Sequence, residues 1–120
     1  MLLGMLLGFV IGNLCLKNLI RRARPCWIDG TVQARIPDPS DYSFPSGHTL
    51  SSFIAAFTVF RTNKKCGIPA LVLASLIAFS RLYLFVHFPT DVIAGILLGW
   101  VLVPAADAIA EKIFFLKTND

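Results

Sequence analysis

Two histidines and one aspartate are the residues best suited to catalysis in this 120-residue sequence. His87 and Asp91 are four residues apart, so a carboxylate in the first turn of a helix can reach the imidazole that precedes it. A carboxylate on one ring nitrogen fixes the tautomer and leaves the other nitrogen free to act as a nucleophile or a base. The pair therefore predicts a reactive histidine, and His48 is a second group able to transfer protons.

Basic residues and a glycine-containing segment predict an anion site beside these histidines. Lys17 and Arg24 are seven residues apart, two helical turns, which places both on one face near the end of a helix. Ser46 and Gly47 stand where a helix begins, and the free N–H groups there form an anion site together with the helix dipole. Arg81 lies near the end of another apolar run, and its planar guanidinium can form two parallel hydrogen bonds to a phosphate.

This combination predicts phosphoryl transfer through a phosphohistidine, with no metal ion and no other cofactor. The cations would hold the nonbridging oxygens and neutralise charge in the transition state. His87 would attack phosphorus, Asp91 would stabilise the imidazolium, and His48 would protonate the leaving oxygen and later deprotonate the water. Taken singly, His87 could be a structural interfacial histidine, Asp91 a helix cap and Arg81 a snorkelling anchor. A metal site at the His87–Asp91 spacing is disfavoured, because it would lack a third ligand and lie beside three cations.

The composition indicates an integral membrane protein. Hydrophobic residues make up 56% of the chain, charged residues 15%, and the mean hydropathy is +0.71, whereas an average soluble domain has about 25% charged residues. Disorder needs low hydrophobicity and is excluded.

The net charge of +4 comes from basic residues at the ends of apolar runs, so nucleic acid is not an expected partner. Cys15 lies inside an apolar run, so its spacing to Arg21 does not indicate a cysteine phosphatase.

The apolar runs predict an all-α, polytopic membrane bundle of about four transmembrane helices, in a single domain over residues 1–120. The expected helices span residues 1–20, 46–60, 68–86 and 91–116, with an exposed loop at 25–45 and a polar turn at 61–67. The first helix lacks a basic leading region and a cleavage site, so it is interpreted as a retained helix. The second is short for a full span of about 20 residues.

A stripe of small residues marks the first helix. Gly4, Gly8 and Gly12 recur every four residues and allow another helix to approach closely. The stripe is consistent with packing inside the bundle or with a homo-oligomer seam, and packing is the favoured interpretation.

Alternation of four helices across a bilayer places every candidate site residue on the same side of the membrane. That side carries six Lys and Arg residues, and the other side carries five. Once Lys17, Arg24 and Arg81 are assigned to the site, three basic residues remain on its side and five lie on the other side. Because basic residues are enriched on the cytoplasmic side, this count favours an extracytoplasmic site.

Three motifs occur in register along the chain: KNLIRRARP at residues 17–25, PSGH at 45–48 and SRLYLFVHFPTD at 80–91. They resemble the motifs Lys-x6-Arg-Pro, Pro-Ser-Gly-His and Ser-Arg-x5-His-x3-Asp of the type 2 phosphatidic acid phosphatase (PAP2) superfamily. This superfamily of membrane lipid phosphatases shares its site with vanadium-dependent haloperoxidases. Members usually carry six membrane helices, with the first motif at the end of the third. The resemblance therefore implies a core that lacks two N-terminal helices, either as a minimal form or by truncation.

The resemblance also implies roles for the residues singled out above. Those implied to bind phosphate are Lys17, Arg24, Ser46, Gly47 and Arg81. His87 is implied as the nucleophile, His48 as the general acid and base, and Asp91 as the partner of His87. The implied substrate is a lipid phosphomonoester or diphosphate, of the undecaprenyl diphosphate, phosphatidic acid or phosphatidylglycerophosphate class, at the outer face of the plasma membrane. The alternative is a truncated, inactive membrane protein that binds lipid phosphate. Halide oxidation is disfavoured, because known enzymes of that type are soluble and larger.

Overall fold

The apolar runs form helices in the computed structural model, which describes residues 1–32 and 35–118. The N-terminal helix is continuous over residues 2–20 and comprises α1 (Leu2–Gly8), a π-helical segment (Phe9–Leu16) and α2 (Lys17–Ile20). The remaining elements are the short α3 (Pro25–Ile28), α4 (Gly47–Thr62), α5 (Lys64–Tyr83) and α6 (Pro89–Thr118). Because the described residues contain no β-strand, the all-α prediction is confirmed.

Three segments of the described chain are long and apolar enough to cross a bilayer: Leu2–Ile28, Lys64–Tyr83 and Pro89–Thr118. α4 has only 16 residues, about 24 Å at a rise of about 1.5 Å per residue, and is shorter than a hydrocarbon core of about 30 Å. Large apolar side chains such as Phe79, Trp100 and Phe114 are exposed. Such a surface suits contact with lipid, while the backbone polar groups are satisfied inside the helices.

The polar turn predicted at residues 61–67 is wrong. A single residue, Asn63, separates α4 from α5. The Asn63 side chain accepts hydrogen bonds from the backbone N–H groups of Lys65 at 2.9 Å and Cys66 at 3.3 Å. Because asparagine caps the start of a helix in this way, the polar residues on either side of it remain helical.

α4 is the central helix and packs against α5, α6 and the N-terminal helix. On one side, Phe53 shares a buried cluster with Ala78 of α5. On another side, Ile54 shares a second buried cluster with Leu102 of α6. The first turn of α4 is therefore held in place among the other helices, at the end of the bundle where the sequence motifs lie.

The glycine stripe of the N-terminal helix faces α4. A Cβ added at Gly8 would lie 2.6 Å from Cδ1 of Ile54, and one added at Gly12 would lie 2.6 Å from Cδ2 of Leu50. Both distances are shorter than real Cβ contacts, so a side chain at either glycine would require the end of the Ile54 or Leu50 side chain to move. Packing within the bundle is the use that the structure shows for this stripe, and association of copies stays a prediction.

Two non-glycine residues with a left-handed backbone lie at the same end of the bundle. Arg21 (φ 50°) ends the N-terminal helix, and Phe85 (φ 58°) follows α5. A left-handed conformation costs a residue with a side chain roughly 1 kcal/mol. The chain segments that follow these turns bring Arg24 and His87 together, with 3.1 Å between Nη1 and Nε2.

Candidate active site

A cavity of about 380 Å³ opens at this end of the bundle. Six of the eight predicted site residues line it: Lys17, Arg24, Gly47, His48, Arg81 and His87. They come from α2, the residue before α3, the first turn of α4, the last turn of α5 and the segment before α6. The other two, Ser46 and Asp91, are fully buried and lie outside the lining.

Arg24, one of the predicted phosphate-binding residues, contacts His87, the predicted nucleophile. Its guanidinium is 4% exposed, and Nη1 donates to the carbonyl of Val86 at 2.9 Å and contacts His87 Nε2 at 3.1 Å. A guanidinium can only donate hydrogen bonds, so Nε2 must carry its lone pair and the ring proton must lie on Nδ1. This is the tautomer that a nucleophilic Nε2 requires.

The surroundings of His87 keep its imidazole neutral. Burial lowers the pKa of His87 below its ordinary value, the contact with Asp91 opposes this, and the charge of Arg24 lowers the pKa further. His87 Nδ1 lies 3.6 Å from Oδ2 of Asp91, which is longer than a hydrogen bond. Ser43 Oγ stands closer to the same nitrogen, at 3.4 Å. The side chains of Asp91 and Ser43 therefore both lie next to Nδ1.

Asp91 is fixed by several donors in addition to its contact with His87. Its Oδ2 accepts hydrogen bonds from Ser43 Oγ at 2.5 Å and from the backbone N–H of Phe88 at 2.8 Å. Its Oδ1 accepts from Arg22 Nη1 at 2.9 Å. A fully buried carboxylate needs such partners to remain ionised. The structure thus places the Asp91 carboxylate near Nδ1 of His87, and its role as partner of His87 stays a prediction.

Ser43 and Arg22 were not identified from the sequence as site residues. Ser43 is fully buried beside Asp91, and Arg22 also donates to Thr90 at 2.5 Å and stacks over the ring of Phe88. Ser43 lies two residues before the PSGH motif, and that proximity is the only local signal for it. No periodicity could reveal these contacts, because they join residues that are 48 and 69 positions apart.

Ser46 caps α4 in the structure, and its binding of phosphate stays a prediction. Its hydroxyl accepts from the backbone N–H of Thr49 at 3.4 Å and from the Thr49 hydroxyl at 2.9 Å, and its own N–H donates to the carbonyl of Asp91 at 3.1 Å. Ser46 therefore caps α4 and does not face the cavity. The next two residues, Gly47 and His48, do line the cavity. Within the described chain, no hydrogen bond uses their backbone N–H groups, which suit an anion.

The remaining predicted residues lie on the cavity wall. His48 is exposed to the cavity, where it can exchange protons with a ligand and with water. Arg81 is partly buried, and its Nε and Nη2 contact Ser80 Oγ at 3.2 and 3.1 Å. These contacts engage one edge of the guanidinium and leave its other donors available for a ligand.

Asp41 stands among these cations, although the sequence did not identify it as a site residue. Its carboxylate binds Lys17 Nζ and, at 2.6 Å, Arg24 Nη2. Burial raises the pKa of Asp41, but the hydrogen bonds from Lys17 and Arg24 outweigh this effect and hold the pKa below its ordinary value. Asp41 is therefore an anion bound by two of the predicted phosphate ligands.

The described residues contain no group of three or more His, Cys, Asp and Glu side chains placed to hold a metal ion. The cysteine alternative also lacks a site, because Cys15 is an exposed residue within the N-terminal helix. Arg21, its partner in that motif, donates to the carbonyl of Asn18 at the end of the same helix. A phosphate loop around Cys15 is therefore not formed.

Comparison with known proteins identifies the family. The model of the PAP2 superfamily matches residues 1–113, and the chain belongs to this superfamily. An undecaprenyl-diphosphatase of Sulfolobus acidocaldarius is 36% identical over 103 residues, which are 84% of this chain and 50% of that protein. Phosphatidylglycerophosphatase B of Bacillus subtilis is 36% identical, with 92% of this chain and 59% of that protein aligned. The chain thus spans between half and three fifths of the length of these relatives.

The fold agrees with this assignment. The crystal structure of a transmembrane PAP2-type phosphatidylglycerolphosphate phosphatase from Bacillus subtilis superposes with a TM-score of 0.72 at 33% sequence identity. The match covers 93% of this chain and 58% of that protein. The prediction of a PAP2-like membrane helix bundle is therefore confirmed, and the chain is a membrane protein.

Proposed function

We propose that this chain is an integral membrane lipid phosphatase that hydrolyses a lipid phosphomonoester or diphosphate through a phosphohistidine on His87. The observation that carries the proposal is the 3.1 Å contact between His87 Nε2 and Arg24 Nη1, in a cavity also lined by Lys17, Arg81 and His48. Because His87 Nε2 accepts a hydrogen bond from Arg24, a phosphate bound by Arg24 would place its phosphorus close to Nε2. The names of the relatives, undecaprenyl-diphosphatase and phosphatidylglycerophosphatase, support the same class of activity.

The phosphate would be held by a set of groups that we call the phosphate seat: Lys17, Arg24, Arg81 and the backbone N–H groups of Gly47 and His48. Three side-chain cations at one end of a membrane bundle supply the charge neutralisation that phosphoryl transfer needs. The proposed reaction therefore requires no metal ion. Ser46 supports the seat indirectly, because its cap holds the first turn of α4 in place.

In the first step, the lone pair on Nε2 of His87 forms a bond to phosphorus while the bond from phosphorus to the leaving oxygen breaks. Positive charge then develops on the imidazole, and Asp91, with Ser43 beside it, stabilises that charge on the Nδ1 side. A protonated His48 donates its proton to the leaving oxygen. The lipid departs as an alcohol from a monoester and as a lipid phosphate from a diphosphate.

In the second step, water hydrolyses the phosphohistidine. His48, now neutral, takes a proton from the water as the water oxygen bonds to phosphorus. The phosphorus–nitrogen bond to His87 breaks, and orthophosphate leaves. His87 is again neutral and His48 is again protonated, so the cycle closes without a further reactant.

The cavity also offers room for the lipid side of the substrate. Besides the charged groups, Met5, Phe9 and Ile54 line it, and these residues lie on the N-terminal helix and α4. An apolar wall continuous with a phosphate seat suits a phosphate attached to a hydrocarbon chain. Undecaprenyl diphosphate, phosphatidic acid and phosphatidylglycerophosphate all satisfy this requirement.

The proposal includes an active site on the extracytoplasmic face of the plasma membrane. Arg22 is bound to Asp91 within the site, so it joins Lys17, Arg24 and Arg81 as a basic residue with a local role. Two other basic residues, Arg21 and Arg35, then remain at this end, against five at the opposite end. That bias supports a cytoplasmic location for the opposite end.

Release of orthophosphate from lipid substrates tests the proposal. The purified chain in detergent is incubated with each of the three lipids, with and without EDTA. We expect hydrolysis of at least one lipid, insensitivity to EDTA, and a loss of roughly 10³-fold in His87→Ala. Asp91→Asn and Asp107→Asn form a matched pair on α6, since Asp107 pairs with Arg61 at the opposite end of α4. Only Asp91→Asn is expected to lower the rate.

Quenching in alkali detects the intermediate, because a phosphohistidine survives there while a phosphoserine is lost. Hydrolysis in His87→Ala at a rate close to that of the unvaried chain would refute the phosphohistidine. A folded chain that releases no phosphate from any of the three lipids would refute the activity and favour a non-catalytic protein that binds lipid phosphate.

A further inference from the structure

The carboxylate of Asp41 binds two of the cations that the proposed function assigns to the substrate phosphate. Oδ2 binds Lys17 Nζ, and Oδ1 binds Arg24 Nη2 at 2.6 Å. The two cations are 8% and 4% exposed, whereas the side chain of Asp41 is 55% exposed, on the loop that precedes α4. Fixed, buried cations are therefore paired with an anion from a solvent-facing segment.

The coordination of Asp41 resembles that expected for a phosphate. Each of its two oxygens binds a different cation, as two nonbridging oxygens of a phosphate would. The same guanidinium contacts His87 Nε2 through Nη1 at 3.1 Å, so the carboxylate lies beside the nucleophile. A phosphate in the seat would bring further negative charge against this carboxylate, and like charges at such distances repel strongly. Both anions cannot hold Lys17 and Arg24 at once.

We propose that Asp41 is an internal competitor for the phosphate seat: it holds Lys17 and Arg24 when the seat is empty, is displaced by the substrate phosphate, and returns as orthophosphate leaves. The inference rests on the proposed function, because it requires these two cations to bind the substrate. It explains how two nearly buried cations avoid being left without a counter-charge between turnovers, a state that is strongly unfavourable. It also gives Asp41 control over product release, because a returning carboxylate weakens the hold on orthophosphate.

Substitution of Asp41 by asparagine tests the competition, with Asp38→Asn as the matched control. Both changes remove one carboxylate from the same loop, and Asp38 is exposed and lies outside the cavity lining. The measurements are the dissociation constant for orthovanadate and the inhibition constant for orthophosphate, with the full chain in detergent. We expect Asp41→Asn to bind both anions at least about tenfold more tightly, which corresponds to about 1.4 kcal/mol. We expect the KM for a lipid phosphate to fall by a similar factor, and Asp38→Asn to match the unvaried chain.

Removing Asp41 leaves Lys17 and Arg24 without their counter-charge, so the variant is expected to be less stable when no anion is present. For this reason the unfolding midpoint is also recorded against orthophosphate concentration, for Asp41→Asn, Asp41→Ser and Asp38→Asn. A bound anion raises the midpoint in proportion to its affinity. Orthophosphate should raise the unfolding midpoint of both Asp41 variants more than it raises that of Asp38→Asn.

Equal anion affinity in Asp41→Asn and Asp38→Asn would overturn the inference. Weaker affinity in Asp41→Asn would also overturn it, because Asp41 would then be ordering the cations for phosphate. These outcomes are separable from the fate of the proposed function. Tighter anion binding in a chain that hydrolyses no lipid would support the competition and refute the activity, whereas hydrolysis with unchanged anion binding would do the reverse.

Discussion

Replacing Ser43 with alanine is expected to slow catalysis and to leave substrate binding unchanged. The hydroxyl donates to Oδ2 of Asp91 at 2.5 Å and lies 3.4 Å from Nδ1 of His87. Ser43 is fully buried and does not line the cavity. It is therefore a positioning residue, which acts on the reaction only through Asp91 and His87.

The size of the effect of Ser43→Ala depends on the hydrogen-bond partners that Asp91 keeps. A hydrogen bond to a charged group contributes about 1.5–3 kcal/mol. Asp91 keeps its bonds from Arg22 and from the Phe88 backbone in the variant, so the loss in unfolding free energy should fall at the lower end, about 1.5 kcal/mol. If the same interaction stabilises the imidazolium in the transition state, kcat falls roughly tenfold, since about 1.4 kcal/mol corresponds to one factor of ten.

The assay is steady-state release of phosphate from lipid in detergent, with kcat and KM determined separately, alongside chemical unfolding. Ser75→Ala is the matched control, because the Ser75 hydroxyl bonds to the carbonyl of Leu71 on its own exposed helix face. We expect kcat to fall in Ser43→Ala alone, with KM within about twofold of the unvaried chain. An unchanged kcat, or a change confined to KM, would refute the view that the Ser43 hydroxyl supports Asp91 and His87 during the reaction.

Three further predictions concern the same end of the bundle and its support. Arg24→Lys keeps the charge but loses the fork that contacts both His87 and the anion, so the rate should fall by about a hundredfold; a rate within threefold of the unvaried chain would contradict this role. Burial lowers the pKa of His87, so the ring stays neutral to a pH below its ordinary value of about 6.5. The acid limb of kcat/KM should therefore lie below that pH, and a limb above it would count against a neutral nucleophile. Gly8→Leu should push the N-terminal helix away from Ile54 and lower the unfolding midpoint, while Gly30→Leu, where an added Cβ meets no atom within 4 Å, should not.

Part of the candidate site could be predicted from the sequence because it depends on short spacings. The spacing of four residues between His87 and Asp91 corresponds to about one helical turn, and the structure places His87 Nδ1 3.6 Å from Asp91 Oδ2. The positions of the N-terminal helix, α5 and α6 followed from runs of apolar residues long enough to cross a bilayer. Helix ends were harder to predict, because the single cap at Asn63 replaced a polar turn seven residues long.

The contacts of Ser46 and Asp41 could not be predicted from the sequence. The sequence placed Ser46 at the start of a helix, and only the structure shows that its hydroxyl accepts from Thr49 and that its N–H donates to the carbonyl of Asp91. Asp41 lies in a polar, proline-rich loop whose composition indicates exposure. Its carboxylate is nevertheless bound to Lys17 and Arg24, which precede it by 24 and 17 residues.

The sequence by itself determined that this protein is a membrane helix bundle with PAP2 motifs, and that two histidines and the cations Lys17, Arg24 and Arg81 lie at the same end. It could do so because hydropathy and local spacing are properties of contiguous residues. Only the tertiary structure decided that Asp41 binds two of those cations, that Ser43 and Arg22 hold Asp91, and that the glycine stripe packs within the chain. Each of these contacts joins residues far apart in sequence, and their geometry depends on how the loops close over the ends of the helices.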